Sequence, residues 1–153
     1  MHEDLLQEIE DNNIDIVEKP LRGNLKGLYS DNIIALGDQI KTNTERTCVL
    51  AEELGHYYTS AGDILDQSTI ENRKQEYKAR RWAVKRLVRV EDIIEAFNAG
   101  VSTRSELAEC LNITEKFLYI AIDHFKGIYG QFTELNEYVI CFDPLYVCKR
   151  ITK

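Results

Sequence analysis

The sequence predicts an α+β fold, and three observations predict it. Short runs rich in Ile, Val, Leu and Tyr lie toward both ends, at 14–17, 28–36 and 138–151, where strands are expected. Between them apolar residues recur at helical spacing, and the S-x-x-E and T-x-x-E signatures at Ser68/Glu71 and Thr103/Glu106 mark helix starts. The length of 153 residues, with 44% hydrophobic and 29% charged, suits one domain with its own core.

Leu5, Leu6 and Ile9 follow Asp4 at helical spacing, so a short amphipathic helix opens the chain and ends at the Asn12-Asn13 turn signal. Ile14, Ile16 and Val17 suggest a strand, and Pro20, Gly23 and Gly27 punctuate a loop. Leu28-Tyr29 and Ile33-Ile34-Ala35-Leu36 then read as a strand pair around Ser30-Asp31-Asn32. Together these make a small sheet.

Thr44, with Glu45 in the first turn, begins a helix predicted to continue to about Gly62. Another starts at Ser68 and runs through Glu76 and Trp82 to about Leu87. Ala79, Ala83 and Leu87 form a slim stripe on it that permits close packing against the preceding helix. Gly55, inside that preceding helix, costs roughly 1 kcal/mol relative to Ala. Such a cost points to a close approach by another segment.

From Val90 the texture changes to three shorter helices, at 91–99, 103–110 and 114–129, followed by two β segments at 138–142 and 145–151 joined at Asp143-Pro144. The organisation expected is one domain over 1–153. Within it, 1–89 precedes a helical subdomain and a C-terminal β-hairpin at 90–153.

A formal charge of -7 argues against a dedicated nucleic-acid binder, which needs clustered Lys and Arg over a whole face. Residues 105–114 and the helix after them resemble a helix-turn-helix, but that second helix begins Thr114-Glu115-Lys116 and carries Asp123, offering few donors to base edges. It reads better as a flanking subdomain. Arg73, Lys74, Lys78, Arg80, Arg81, Lys85, Arg86 and Arg89 ring one helix, either as a solvated face or as a docking patch for an acidic partner segment. The four cysteines form no C-x-x-C pair and read as buried reduced thiols. No basic-then-apolar leader or bilayer-length run is visible, so a cytoplasmic protein without membrane contact is expected.

The chemistry concentrates in Glu52-Glu53-Leu54-Gly55-His56. Residues four apart share a helix face, so Glu52 and His56 can direct an oxygen and a nitrogen at one metal ion. Glu53, one position round, can hold a proton-accepting carboxylate beside the water that the metal activates. A third ligand is needed to leave one position open, and Glu76 on the next helix is the candidate, with Asn72 one turn earlier to orient a ligand. Tyr57, Tyr58 and His124 are oxyanion donors by type only and read as packing or surface hydrogen bonds.

Leu50-Ala51-Glu52-Glu53-Leu54-Gly55-His56-Tyr57-Tyr58-Thr59, followed by Glu76-x-x-Ala79-x-x-Trp82-Ala83, resembles the ImmA/IrrE family of metallopeptidases, whose pattern is A-H-E-L-G-H and then E-x-x-A-x-x-F-A. The similarity covers most of the chain. It implies a zincin-like metal-binding helix pair in a catalytic part at 1–89, with Glu53 catalytic and Glu52, His56 and Glu76 as ligands of Zn2+ or another divalent metal. It also implies cleavage of a cognate helix-turn-helix repressor of a prophage or mobile element. Glu52 departs from the pattern by standing where the first zinc His belongs. Two carboxylates and one imidazole make a harder, more anionic donor set. An impaired enzyme that acts as an antirepressor by docking to its partner is therefore the alternative.

Overall fold

The computed structural model of the chain describes residues 2–59 and 70–151, with the backbone alone at 70 and 71. The fold is α+β, with six helices and two three-stranded sheets among the described residues. It divides into two units, Met1–Leu87 and Val88–Lys153.

In the first unit, α1 (His2–Asp11) buries Leu5 and Ile9. It ends just before Asn13, whose φ of 57 lies in the left-handed region that Asn tolerates. β1 (Asp15–Glu18), β2 (Gly27–Ser30) and β3 (Ile33–Leu36) form a mixed sheet in the order β1-β3-β2. β2 and β3 form a hairpin. Its turn residues Asp31 and Asn32 have φ of 48 and 60, the double positive of a type I′ turn, whose twist matches the strands. β1 runs parallel to the central β3, where Ile34, Ala35 and Leu36 are buried, and β2 is left at an edge.

α2 (Asn43–Thr59) and α3 (Ile70–Leu87) complete the unit. Thr42 Oγ1 accepts a 3.1 Å hydrogen bond from the Glu45 amide and satisfies one free donor of the first turn. The expected continuation to Gly62 and the Ser68/Glu71 capping box lie outside the described residues. α3 buries Ala79, Ala83, Val84 and Leu87. The small side chains let the helices meet at Gly55, where an added Cβ would lie 2.5 Å from the Ala79 carbonyl oxygen. The expected close approach is made by Ala79. Leu50 and Leu54 of α2 are fully buried, each contributing about 1.5–3 kcal/mol relative to exposure.

The second unit contains α4 (Val90–Asn98), α5 (Arg104–Leu111), α6 (Glu115–Tyr129), β4 (Phe132–Leu135), β5 (Tyr138–Phe142) and β6 (Leu145–Lys149). Thr103 and Glu106 exchange side-chain and backbone hydrogen bonds at the start of α5, the expected capping box. Asn112, with φ 56, closes α5, and Thr114 caps α6. The sheet is an antiparallel meander, β4-β5-β6, whose inner residues Ile140 and Phe142 are buried. Phe142 stacks on Phe125 of α6 at 6.0 Å between centroids.

Two expectations are corrected in this unit. The terminal hairpin is one strand larger than predicted, because β4 follows α6 almost at once. Its four residues, Phe-Thr-Glu-Leu, are too short a run to stand out without their partner β5. Of the thiols, only Cys48 is buried, while Cys110 and Cys148 are exposed and Cys141 is half-buried. Cys110 lies on the outer side of α5 and Cys148 on an edge strand, positions whose apolar texture does not translate into burial. Among the described residues no helix is long and apolar enough to cross a membrane.

Candidate functional site

Charged groups enter the interior of the first unit because their neighbours do. Leu50, Ala51 and Leu54 are fully buried, and the same turns of α2 carry Glu53 and His56 inward to 8% and 4% exposure. Glu76 lies one turn before Ala79 on α3. The packing that seats Ala79 on Gly55 also brings Glu76 Oε2 to 3.1 Å from His56 Nε2. The other oxygen of Glu76 faces Arg80, whose Nε lies 3.6 Å from Oε1. Burial works to raise the Glu76 pKa, but the hydrogen bond and charge of His56, with Arg80, outweigh it and hold the carboxyl below its ordinary range.

Glu53 lies against β2. A Cβ on Gly27 would stand 2.8 Å from Glu53 Oε1, and the Tyr29 backbone amide donates a hydrogen bond to the carboxylate. Burial above all, then the negative charges of Glu52 and Glu76, push the Glu53 pKa up to about 8 against the Tyr29 hydrogen bond. A carboxyl that exchanges its proton near neutrality is matched to general base and general acid work.

Of the four residues singled out from sequence, His56 and Glu76 pair directly, and Glu53 is buried on the helix of His56, near enough for the charge of Glu76 to act on it. Glu52 is half-buried on the same helix and acts through its charge on Glu53. Among the described residues no group of three or more His, Cys, Asp and Glu side chains stands together as a ready metal-holding cluster. Tyr57 and Tyr58 spend their hydroxyls tying α2 to α1, donating to Asn12 at 3.2 Å and Glu8 at 2.8 Å. His124 belongs to the second unit, beside Phe125.

Sequence reasoning missed Gly27 and the Tyr29 amide, whereas Arg80 belongs to the ring of cations expected around Glu76 to lower its pKa. A glycine opening a strand can mark a close approach of backbone, and that was the available signal for Gly27. No local pattern assigns a backbone amide to a carboxylate on another element.

His56 and Glu76 supply two donors suited to a divalent cation, and among the described residues no third His, Cys, Asp or Glu completes a set with them. Two donors of a tetrahedral ion held at about 2.0–2.1 Å stand about 3.3 Å apart, close to the 3.1 Å between His56 and Glu76. Glu76 beside His56, with the charge of Glu52 acting on the same helix, makes the surroundings anionic, which favours a cation.

Comparison with known proteins identifies a family. The family model described as IrrE N-terminal-like domain, peptidase family M78, matches residues 9–123. No curated protein and no solved structure matches the chain. The match begins in α1, takes in β1 to β3 and both helices of the candidate site, and ends within α6, which is most of the chain. A metallopeptidase is what that family implies, and the chain belongs to it: it is a member of the IrrE N-terminal-like family.

Proposed function

We propose that the chain is a metal-dependent endopeptidase that cleaves a cognate helix-turn-helix repressor, of the kind carried by prophages and mobile elements, and so relieves repression. The observation that carries the reading is the buried pair of His56 and Glu76, 3.1 Å apart, with the proton-poised Glu53 beside it. His56 and Glu76, joined by Glu52, would hold Zn2+ or another divalent ion. Bound there, such an ion supplies Lewis acidity to a peptide carbonyl and to water. Glu53 takes the proton of the attacking water and returns it to the leaving amine nitrogen. β2, at the sheet edge over Glu53, would offer an extended substrate strand its outer backbone groups other than the Tyr29 amide, which Glu53 engages.

The test is incubation of the purified protein and a divalent metal with the repressor encoded beside it. Two repressor fragments are expected. Glu53→Gln should lower their rate of formation by ~10²-fold or more while metal is retained. A repressor left intact by the metal-loaded parent overturns the reading. Glu52, in the first ligand's place, favours one second reading, an antirepressor that acts by docking. In that case Glu53→Gln relieves repression as well as the parent does, with the repressor intact on a gel.

A further inference from the structure

The cations of α3 are not spread as evenly as their ring in the sequence suggests. The helix carries seven Lys and Arg against Glu71 and Glu76, in a chain whose totals are 19 basic and 26 acidic residues. Arg80 is drawn to Glu76 and Arg86 to Glu8. Lys74, Lys78, Arg81 and Lys85 are exposed and make no ion pair among the described residues. Their spacing of i, i+4, i+7 and i+11 sets them on one stripe about 16 Å long, on the side of α3 away from the buried Ala79 and Ala83.

Beside that stripe is a recess of about 380 Å³, lined by Arg73, Lys74, Tyr77, Lys78 and Arg81. Tyr77 is 55% exposed, and the surface that the basic residues give the wall is mostly apolar, as the carbon stems of long cationic side chains provide. The recess thus joins an apolar wall to cationic side chains. Such a surface selects a ligand with anionic groups flanking an apolar one.

We propose that the outer face of α3 is an exosite for an acidic segment of a partner protein, one that places an apolar side chain against Tyr77 and carboxylates along the Lys74, Lys78, Arg81 and Lys85 stripe. Charge complementarity carries the choice of occupant. Duplex or single-stranded nucleic acid needs cations over a broad face, whereas the acidic residues that predominate outside α3 would repel it, and an acidic peptide needs only this one stripe. The exosite deepens the proposed peptidase reading by stating what its partner carries, and it stands apart from Glu53, His56 and Glu76.

Fluorescence anisotropy of the full-length protein tests it without hydrolysis, in the presence of a chelator. The probes are a fluorescein-labelled peptide with glutamates flanking a central leucine, the same peptide with Gln for Glu, the same with Ser for Leu, and a labelled oligothymidylate. The acidic leucine peptide should bind, weaken with added salt, and exceed both peptide analogues. The triple variant Lys74→Glu, Lys78→Glu, Arg81→Glu should weaken it about tenfold, and Tyr77→Ser should weaken it with the charges intact. These positions are exposed, and circular dichroism of each variant checks the fold. No binding by the parent, equal binding by the triple variant, or tighter binding of the oligothymidylate would each overturn the proposal. Because no metal is present, loss of the peptidase reading would leave a positive result standing.

Discussion

His56 Nε2 and Glu76 Oε2 lie 3.1 Å apart, with the two side chains only 5% and 14% exposed, so one interaction joins α2 to α3 in a desolvated place. The pair carries a prediction about charge. Glu76→Gln keeps a hydrogen-bonding oxygen beside His56 but removes the carboxylate, and divalent-metal affinity should fall at least about tenfold. Competition with a chromophoric chelator measures this. Unchanged affinity would show that Glu76 is a structural partner of His56 and nothing more.

Glu53 makes stability depend on pH. Its folded-state pKa of about 8 stands above the ordinary 4.5, so the folded state holds the proton more tightly than the unfolded one. The associated stability is fully present below about pH 4.5 and is lost as the pH rises through about 8, by on the order of a few kcal/mol. Denaturant unfolding of metal-free protein at several pH values should show this decline. Glu53→Gln, neutral throughout, should flatten that part of the curve and be the more stable protein at high pH.

Gly55 sets helix propensity against packing. Replacing it with Ala gains about 1 kcal/mol of helix propensity, but the new Cβ would lie 2.5 Å from the Ala79 carbonyl oxygen and 3.1 Å from its carbon. Those atoms belong to a helix backbone and cannot swing aside, and overpacking of this kind costs about 1–3 kcal/mol. Packing should win. Gly55→Ala is expected to lower the thermal midpoint and, by prising α2 from α3, to weaken metal binding as well.

Features with strong local chemistry were legible in the sequence. Asp31-Asn32 announces its turn, Thr103 and Glu106 announce a capping box, and the Ala79/Ala83 stripe together with Gly55 announces a close helix pair, which makes Glu76 a companion for His56. What was not legible depends on pairing between distant segments. The parallel alignment of β1 on β3 leaves no local mark, and β4 is four residues that gain meaning only beside β5. The hold of β2 on Glu53 and the sorting of the α3 cations by Glu8 and Glu76 are likewise tertiary facts. Each sets a charge that composition alone counts without placing.

Glu52→His tests whether residue 52 is a metal ligand. His at 52 would give the helix two imidazoles four residues apart, a less anionic set that suits zinc better than a second carboxylate. Zinc affinity should rise at least about tenfold, read by chelator competition, and an unchanged value would show that residue 52 is not a ligand. The substitution has a second consequence that needs no metal. The charge of Glu52 is one cause of the raised Glu53 pKa, so a neutral side chain in its place should let Glu53 ionise at lower pH. The loss of metal-free stability would then begin earlier on the pH axis and be smaller. The two readouts separate ligation from electrostatics. Tighter zinc with a shifted stability curve assigns Glu52 both roles, whereas a shifted curve with unchanged zinc affinity leaves it only the setting of the proton on Glu53.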